Sequence, residues 1–273
     1  MIKQAIIPLA GLGTRLLPLT SVMPKELLPI NGKPAIEYIL DECIEAGISE
    51  IILIISVKKK IIKNYFHNDS FFKKIIRNKK KDRRLKLEYA KIKNYKKKIK
   101  FVYQNAPRGT GDAILKCKKF IKSKYFLMLL PDDLIIKKNC SIEMIKLHNK
   151  YNSSVIASKK VKTNDVSRWG IFNPKKISKK NFLIKDVVEK PNVKSAPSNY
   201  AVIGRYILPT KIFNILRSQK PGLNGEVHIT DAIRTLINNK NKFIGHVFAG
   251  KYLDCGSMKG YVRSSIEMSK LNL

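Results

Sequence analysis

The sequence lacks the patterns that mark several common classes of protein. None of its apolar runs is long enough to span a bilayer, and the N-terminal run over residues 1–8 is too short for a signal peptide. The four cysteines form no Cys-x-x-Cys pair, and the four histidines do not have the spacing of zinc ligands. Scattered cysteines are typical of free thiols in a reducing compartment, so we expect a cytoplasmic protein without zinc.

Acidic residues are scarce as well. Twenty Asp and Glu stand against 55 Lys and Arg, which gives a formal net charge of +35. Such a charge raises the hypothesis of a nucleic-acid-binding protein. Lysine supplies most of it, in a chain also rich in Ile and Asn, and the densest basic run, residues 73–100, contains only Tyr89 and Tyr95 as aromatic residues that could stack on bases. We therefore expect a solvated lysine-rich face and no nucleic acid as the physiological partner.

The chain also lacks the signatures of a covalent nucleophile and of the two commonest phosphate loops. It contains no Gly-x-Ser-x-Gly elbow and no Cys–His signature. Leu16 stands where a dinucleotide-binding fingerprint needs its third glycine, and no Gly-Lys-Ser/Thr closes the loop. These absences favour a reaction that needs no nucleophilic side chain.

What the chain does have is a glycine loop directly after its first predicted strand. Gly11 and Gly13 let the backbone turn tightly and approach a ligand, and their amides can cradle phosphate oxygens. Arg15 adds a planar guanidinium group whose geometry suits phosphate, and Lys25 adds a compact second cation. Strand, glycine turn, Arg and Lys together predict a polyphosphate site, although a short glycine pattern alone is often an ordinary turn.

A second candidate loop follows the predicted strand at residues 99–103. Gln104 can donate and accept hydrogen bonds at once, as recognition of a uracil edge requires, and Gly109 allows the backbone to approach a base closely. The alternative for these residues is a polar turn at the end of a strand.

Carboxylates follow the best candidate for a central strand, residues 125–130. Asp132 and Asp133 would lie in the crevice where open α/β sheets bind ligands. A carboxylate there suits Mg²⁺, which takes hard oxygen ligands, whereas the plainer alternative is a turn or a helix cap. Further along, Glu189 and Lys190 could hold a sugar hydroxyl and a phosphate, but in isolation Glu-Lys-Pro and the later Asp254-Cys-Gly are typical of surface turns.

Taken together, these motifs resemble a known family. The run GLGTRLLPLTSVMPKELLPINGKP is similar to the signature of the sugar-1-phosphate nucleotidyltransferases. The resemblance continues through motifs near residues 104, 132, 190, 204, 226 and 254 and so covers nearly the whole chain. One departure is Asp112, where that family usually has His.

The resemblance assigns roles to particular residues. The residues it implies for catalysis are Arg15, Lys25 and Lys190. Those it implies for nucleotide binding are Ala10, Gly11, Gly13, Thr14, Glu26, Gln104 and Gly109. Those it implies for sugar binding are Gly170, Glu189, Lys190, Gly204 and Glu226. The carboxylates of Asp132 and Asp254 would hold Mg²⁺.

The fold class expected is α/β, with a Rossmann-like, doubly wound, mixed and mostly parallel sheet of the nucleotide-diphospho-sugar transferase type in a single domain. Residues 1–155 would form the nucleotide-binding half, with a peripheral Lys-rich insertion at about 67–98, and residues 156–273 the sugar-phosphate half with a C-terminal helix. Locally we predict Pro34 as the first residue of a helix that ends at Gly47, a turn near Pro174, Thr230 as the cap of a helix over 231–236, and residues 243–248 as the last clear strand.

The reaction that the resemblance implies is transfer of the uridylyl group of UTP to α-D-glucose 1-phosphate, giving UDP-glucose and pyrophosphate. Two alternatives remain: a dTTP-dependent thymidylyltransferase, and a basic nucleic-acid-binding protein on the same fold. By analogy with the family we also expect a homo-oligomer, a dimer or a tetramer.

Overall fold

The computed structural model describes residues 2–79, 81–222 and 225–271, in which strands and helices alternate. The strands in this part are Gln4–Pro8 (β1), Pro29–Ile30 (β2), Lys33–Pro34 (β3), Glu50–Ile55 (β4), Ile99–Tyr103 (β5), Tyr125–Leu129 (β6), Asp133–Ile136 (β7), Ser154–Lys160 (β8), Gly170–Lys176 (β9), Asn181–Glu189 (β10), Tyr200–Pro209 (β11), Phe243–Val247 (β12) and Lys251–Asp254 (β13). The helices are Ala35–Glu45 (α1), Lys60–His67 (α2), Asp69–Asn78 (α3), Arg83–Lys98 (α4), Thr110–Leu115 (α5), Cys140–Tyr151 (α6), Ile212–Ser218 (α7), Ile229–Asn238 (α8) and Met258–Ser269 (α9).

Nine of these strands form one sheet in the order β5-β4-β1-β6-β11-β8-β12-β10-β9. The neighbours β5, β4, β1 and β6 are parallel, as are β8 and β12. Strand β11 is antiparallel to both β6 and β8, and β10 is antiparallel to β12 and β9. The mixed α/β architecture predicted from the sequence is confirmed, with its parallel pairings concentrated in the N-terminal part. The sheet is not mostly parallel as expected, because β10 and β11 are antiparallel to their neighbours.

The central strands are apolar on both faces because helices cover both. In β4, Ile51, Leu53 and Ile55 point to one face and Ile52 and Ile54 to the other, and all five are fully buried. Helices α1, α2, α4, α6 and α9 contribute buried residues on the first face, and α5, α7 and α8 on the second. Burial of one such side chain contributes about 1.5–3 kcal/mol, so these five residues stabilise the packing of helices on both faces of the sheet.

Two short antiparallel pairs lie outside the main sheet. Strands β2 and β3 form a hairpin around Asn31 and Gly32, whose φ angles of 49° and 74° fit the Asn-Gly turn. Strands β7 and β13 pair so that Asp133 stands opposite Asp254. This second pairing brings together two acidic motifs that are more than 100 residues apart.

Four local predictions were wrong. Pro174 lies inside β9, paired with Ile184, and the bend comes at residues 177–180; proline is tolerated because β9 is an edge strand. Pro34 precedes α1 with an extended ψ of 136° instead of beginning it. Helix α8 begins at Ile229, so Thr230 lies in its first turn and is not its cap. A further strand, β13, follows residues 243–248, and it is too short and polar for an apolar pattern to reveal it.

Helix α4, in the Lys-rich segment, is hydrogen-bonded to α1. Tyr95 of α4 is 1% exposed and donates to Asp41 at 2.5 Å, and Lys91 donates to Glu37 at 2.8 Å. Tyr89 stacks on Phe72 with ring centroids 5.7 Å apart. The two tyrosines of the basic run are therefore engaged within the protein and do not form a platform for bases.

A fully buried ion pair fixes the centre of the molecule. Arg205, on β11, is 0% exposed and forms hydrogen bonds of 2.8–3.0 Å to both carboxylate oxygens of Glu42 on α1. Its remaining donors reach the carbonyl oxygens of Leu130 at 3.2 Å and Gly204 at 3.0 Å. Ser141 also donates to the Glu42 carboxylate, at 2.6 Å. Every charged group is thus matched, which burial of an ion pair requires.

Replacing Arg205 by Met is expected to lower the free energy of unfolding by about 3–5 kcal/mol, because Glu42 would be left as a buried charge without a counterion. Adding Glu42→Leu to Arg205→Met should recover a large part of that loss. Denaturant unfolding followed by circular dichroism measures both.

The matched control is Arg234→Met. Arg234 forms an equally bidentate pair with Asp186, at 2.9 and 3.0 Å, but its side chain is 52% exposed. An exposed pair of this kind contributes less than about 1 kcal/mol. Equal losses from the two arginine variants would contradict this account of Arg205.

Candidate active site

All residues that the sequence singled out for a site line one cleft. Its volume is about 960 Å³, and it opens where β1 and β6 end and runs to the end of β10. It includes the catalytic, nucleotide-binding, sugar-binding and metal candidates, from Ala10 to Asp254. The topology explains this convergence, because parallel strands of an open sheet deliver the loops at their carboxyl ends to one edge.

The glycine loop leaves β1 in a tight turn. Gly13 has a left-handed φ of 73°, and its carbonyl accepts hydrogen bonds from the Thr20 hydroxyl and the Leu16 amide, both at 2.9 Å. A side chain at Gly11 would meet no atom within 4 Å, so this position opens into the cleft. Arg15 follows with its side chain 68% exposed.

Lys25 and Asp132 form the strongest charge pair in the cleft. Lys25 Nζ lies 2.6 Å from Asp132 Oδ2, and Arg15 lies 3.6 Å from the same oxygen. Burial lowers the pKa of Lys25, but the charges of Asp132 and Glu26 and the hydrogen bond to Asp132 together outweigh it and leave this pKa above its ordinary value. Burial likewise raises the pKa of Asp132, yet the charge and hydrogen bond of Lys25 bring it below its ordinary value. Both groups are therefore ionised at neutral pH.

Glu26 points away from solvent and holds a buried lysine. Its carboxylate is fully buried and accepts two hydrogen bonds of 2.8 Å from Lys59 Nζ, which also donates to the Leu9 carbonyl at 2.7 Å. Lys59 thereby ties the start of the glycine loop to the segment that carries Lys25. Burial lowers the pKa of Lys59, with the charge of Glu26 opposing the shift. The contact predicted between Glu26 and a nucleotide stays a prediction.

Asp132 and Asp254 lie close together beside Gly256. A Cβ at Gly256 would come within 2.7 Å of Asp132 Oδ2, 3.1 Å of Arg15 Nη2 and 3.3 Å of Asp254 Oδ1, so the two carboxylates and the Arg15 guanidinium surround the same position. The Cys255 amide donates to the Asp132 carbonyl at 2.8 Å and fixes the two segments together. Among the described residues no cluster of three or more His, Cys, Asp or Glu side chains forms a metal site. Two carboxylates fit Mg²⁺, which commonly completes its shell with phosphate oxygens and water.

Asp133 is held inside the structure. It accepts hydrogen bonds from the Tyr252 hydroxyl at 2.6 Å and from the Gly204 amide at 2.8 Å. Burial and the neighbouring charge of Asp132 raise its pKa to about 6. A Cβ at Gly204 would lie only 2.5 Å from Asp133 Oδ2, so glycine is needed there for packing as well as for any contact with a sugar.

The predicted sugar side lies at the end of β10. Glu189 pairs in register with Gly170 and accepts a hydrogen bond from the Thr230 hydroxyl at 3.0 Å. Lys190 has a left-handed φ of 45°, which costs a non-glycine residue about 1–2 kcal/mol. Its Nζ lies 4.0 Å from Glu189 Oε1 and its side chain is 49% exposed. Strained backbone of this kind is often found at functional sites.

The base-reading candidates form a compact turn. Gln104 is 4% exposed, and its amide nitrogen donates to Asp112 at 2.7 Å and to the Gly109 carbonyl at 3.3 Å. Asp112, the departure from the family pattern, therefore orients the Gln104 side chain. Gly109 has a φ of 94°, and a Cβ there would lie 2.6 Å from the Val227 carbonyl oxygen. Glycine is thus required for the loop to pack against the segment that follows Glu226.

Several cleft residues escaped the sequence analysis as site candidates, among them Arg168, Trp169 and Tyr252. Arg168 lies 4.0 Å from Asp254 Oδ2 and 3.7 Å from Asp165, and the lone tryptophan, Trp169, lines the cleft beside it. Tyr252, two residues before Asp254, lines the cleft as well. Arg168 lies in a polar segment without periodicity, so no pattern in the sequence separates it from a surface residue.

The fold and the cleft define a nucleotidyl transferase. The model of the Nucleotidyl transferase family matches residues 4–270, and the chain belongs to this family. The resemblance seen in the sequence is thereby confirmed.

Individual relatives of the chain carry names more specific than that of the family. The chain is 38% identical over 269 residues to the UTP–glucose-1-phosphate uridylyltransferase of Staphylococcus epidermidis, covering 97% of this chain and 92% of that protein. It is 37% identical over 270 residues to the putative enzyme of the same name from Methanocaldococcus jannaschii, covering 98% and 93%. A solved UDP-glucose pyrophosphorylase in complex with UDP-glucose superposes with a TM-score of 0.88 at 38% identity, covering 99% of both chains. A UTP-bound UGPase from Acinetobacter baumannii gives 0.87 at 34% identity, covering 98% and 93%.

Two glycine variants test whether the loop at Gly11 receives the nucleotide. Gly11→Ala adds a methyl group where no protein atom lies within 4 Å, so stability should change by less than about 0.5 kcal/mol. The methyl group would stand in the cleft, and displacement of the phosphates should raise KM for the nucleotide by about 10-fold or more.

Gly109→Ala is the contrasting variant. It combines a left-handed φ with a 2.6 Å approach to the Val227 carbonyl and should lower stability by about 1–3 kcal/mol. Thermal melting and steady-state kinetics separate the two effects. Normal nucleotide KM in Gly11→Ala would remove this loop from the binding site.

Proposed function

We propose that the protein transfers the uridylyl group of UTP to α-D-glucose 1-phosphate and releases pyrophosphate. The observation that carries the proposal is that one cleft contains the cations Arg15, Lys25 and Lys190, the carboxylate pair Asp132 and Asp254, and the polar candidates for sugar binding. The full-length likeness to uridylyltransferases, at 37–38% identity, supports the choice of substrates.

The reaction needs no side-chain nucleophile. A sugar 1-phosphate is mostly a dianion at neutral pH, since its second pKa is about 6. One of its oxygens attacks the α-phosphorus of UTP, a new P–O bond forms, and the bond from the α-phosphorus to the bridging oxygen breaks as pyrophosphate leaves. The main obstacle is the repulsion between two polyanions and the charge that develops on the leaving group.

Positively charged side chains of the protein would reduce this repulsion and stabilise the charge on the leaving group. Arg15, with its exposed side chain, and Lys25 would bind the triphosphate and neutralise the leaving pyrophosphate. Lys190 would orient the attacking phosphate from the end of β10. Because Asp132 holds Lys25 at 2.6 Å before the substrates arrive, little reorganisation of this cation is needed during the reaction.

Nucleotidyl transferases generally use a divalent metal ion. Here Asp132 and Asp254 would hold Mg²⁺, as their shared space beside Gly256 suggests. When bound, the ion supplies positive charge to the phosphates.

The remaining candidates would recognise base and sugar. The amide nitrogen of Gln104 is engaged by Asp112, which leaves its carbonyl oxygen to accept the N3–H of uracil. Glu189, Gly170, Gly204 and Glu226 would surround the glucose. Use of dTTP has less support, because the relatives at 37–38% identity are uridylyltransferases.

We also propose a cytoplasmic homo-oligomer. All four cysteines are buried free thiols, as a reducing compartment preserves them. Met258, Val262 and Ile266 of α9 recur every four residues and are 36–51% exposed, which provides an apolar stripe for a second copy. No helix in the described part of the chain is long and apolar enough to cross a membrane.

The decisive experiment measures pyrophosphate release from UTP and glucose 1-phosphate with Mg²⁺. Asp132→Ala, or a chelator added to the wild type, should reduce the rate by about 10²–10³-fold, because a transition-state contact is lost. Glu88→Ala, which removes an exposed carboxylate on α4 outside the cleft lining, is the control and should retain the wild-type rate.

Parallel reactions with dTTP and with galactose 1-phosphate define specificity. Release with dTTP but not with UTP would favour the thymidylyltransferase. No release with any combination, together with salt-sensitive binding of nucleic acid, would replace the enzyme by the nucleic-acid-binding alternative.

A further inference from the structure

Thr230 lies beside the predicted sugar subsite, in a motif whose purpose the reaction leaves open. It stands in the first turn of α8, is 8% exposed, and lines the cleft. Its hydroxyl donates to Glu189 Oε2 at 3.0 Å. The bond joins the beginning of α8 to the last residue of β10, 41 positions away.

Helix α8 is fixed to β10 at a second point. Arg234, one turn beyond Thr230, donates to both oxygens of Asp186 at 2.9 and 3.0 Å. The apolar face of α8 is buried against the sheet through Ile229, Ala232, Ile233 and Leu236. The Thr230 hydroxyl is therefore held by a rigid helix and not by a mobile side chain on the surface.

The oxygen that accepts the Thr230 hydrogen bond also lies close to the backbone of β9. A Cβ at Gly170 would lie 3.2 Å from Glu189 Oε2, a tight contact, so glycine leaves just enough room for this oxygen. Oε2 thus contacts both Gly170 and Thr230. Oε1 is the oxygen nearer to Lys190 Nζ, at 4.0 Å. One oxygen is held by the protein, and the other is available to a ligand.

The ordinary use of a helical threonine hydroxyl is different. Such hydroxyls commonly bond to the carbonyl one turn earlier, and Thr235 of the same helix does so, donating to the Asp231 carbonyl at 3.1 Å. Thr230 instead donates outward to a carboxylate in the cleft. It does not cap α8 either, since that position belongs to His228.

We propose that Thr230 is a positioning residue for glucose 1-phosphate, acting through Glu189. By holding Oε2 it directs Oε1 toward the sugar hydroxyls and fixes the carboxylate relative to Lys190. The inference rests on the proposed function, because it assigns the ligand of Glu189. It gives the Thr in the segment Gly225–Ala232 a function in substrate selection.

The test compares three variants by steady-state kinetics with UTP and glucose 1-phosphate. Thr230→Val keeps the shape and removes the hydroxyl, and KM for glucose 1-phosphate should rise about 10-fold, as expected for loss of a hydrogen bond to a charged group. KM for UTP should stay within about 2-fold, because no triphosphate contact is touched. Thr230→Ser should restore the wild-type value, and Thr235→Val, the matched control, should not change it. Thr230→Ala also removes the hydroxyl, and it replaces Thr230→Val in the comparison if the valine side chain is too large for the site.

A double-mutant cycle shows whether Thr230 acts through Glu189. In a Glu189→Ala background, Thr230→Val should produce no further change in kcat/KM, whereas a general structural effect would persist. Persistence in that background, failure of serine to restore KM, or an unchanged KM in Thr230→Val would each overturn the inference while the proposed reaction stands. A wild type that does not turn over UTP and glucose 1-phosphate would overturn both.

Discussion

The buried ion pair between Arg205 and Glu42 is the interaction on which the active site depends. A charged guanidinium without solvent is tolerable only when its donors meet acceptors, and here they meet Glu42 and the carbonyls of Leu130 and Gly204. Leu130 directly follows the last residue of β6 and lies two positions before Asp132. The ion pair therefore fixes the strand end that presents the carboxylates, and it couples that strand end to α1 and β11.

In and beneath the cleft, the other charged side chains also form ion pairs. Lys59 meets Glu26, Lys25 meets Asp132, and Arg168 approaches Asp254. A chain with only 20 acidic residues thus places several of them where they balance buried or half-buried cations. The interior of the site is electrostatically matched, while the lysines that produce the net charge of +35 lie mostly outside and can attract anionic substrates over a distance. Net charge and site chemistry are consequently separate properties of this molecule.

This separation explains what the sequence could and could not predict. Strands such as β6 were predicted because apolar residues on both faces leave an unbroken run, and Gly11, Arg15 and Asp132 because their chemistry is local to a motif. Lys59 was hidden in three successive lysines, since only the fold buries the one that reaches Glu26. The pair Arg205–Glu42 spans 163 positions, and no local pattern encodes such a contact. The hairpin at Asn31-Gly32 did carry a local signal, but its strands of two residues were too short to show an alternation.

The two halves of the cleft are joined by backbone hydrogen bonds. The Val227 amide donates to the Arg108 carbonyl at 2.9 Å, and the Gly111 amide donates to the Val227 carbonyl at 2.8 Å. Val227 leads within two residues into α8, whose Thr230 holds Glu189. The loop proposed to read the base and the helix proposed to set the sugar carboxylate are thus parts of one hydrogen-bonded unit. In a reaction that relies on placing one phosphate in line with another, a rigid link between the two subsites fixes the distance between the reacting groups, and small displacements at either end become costly.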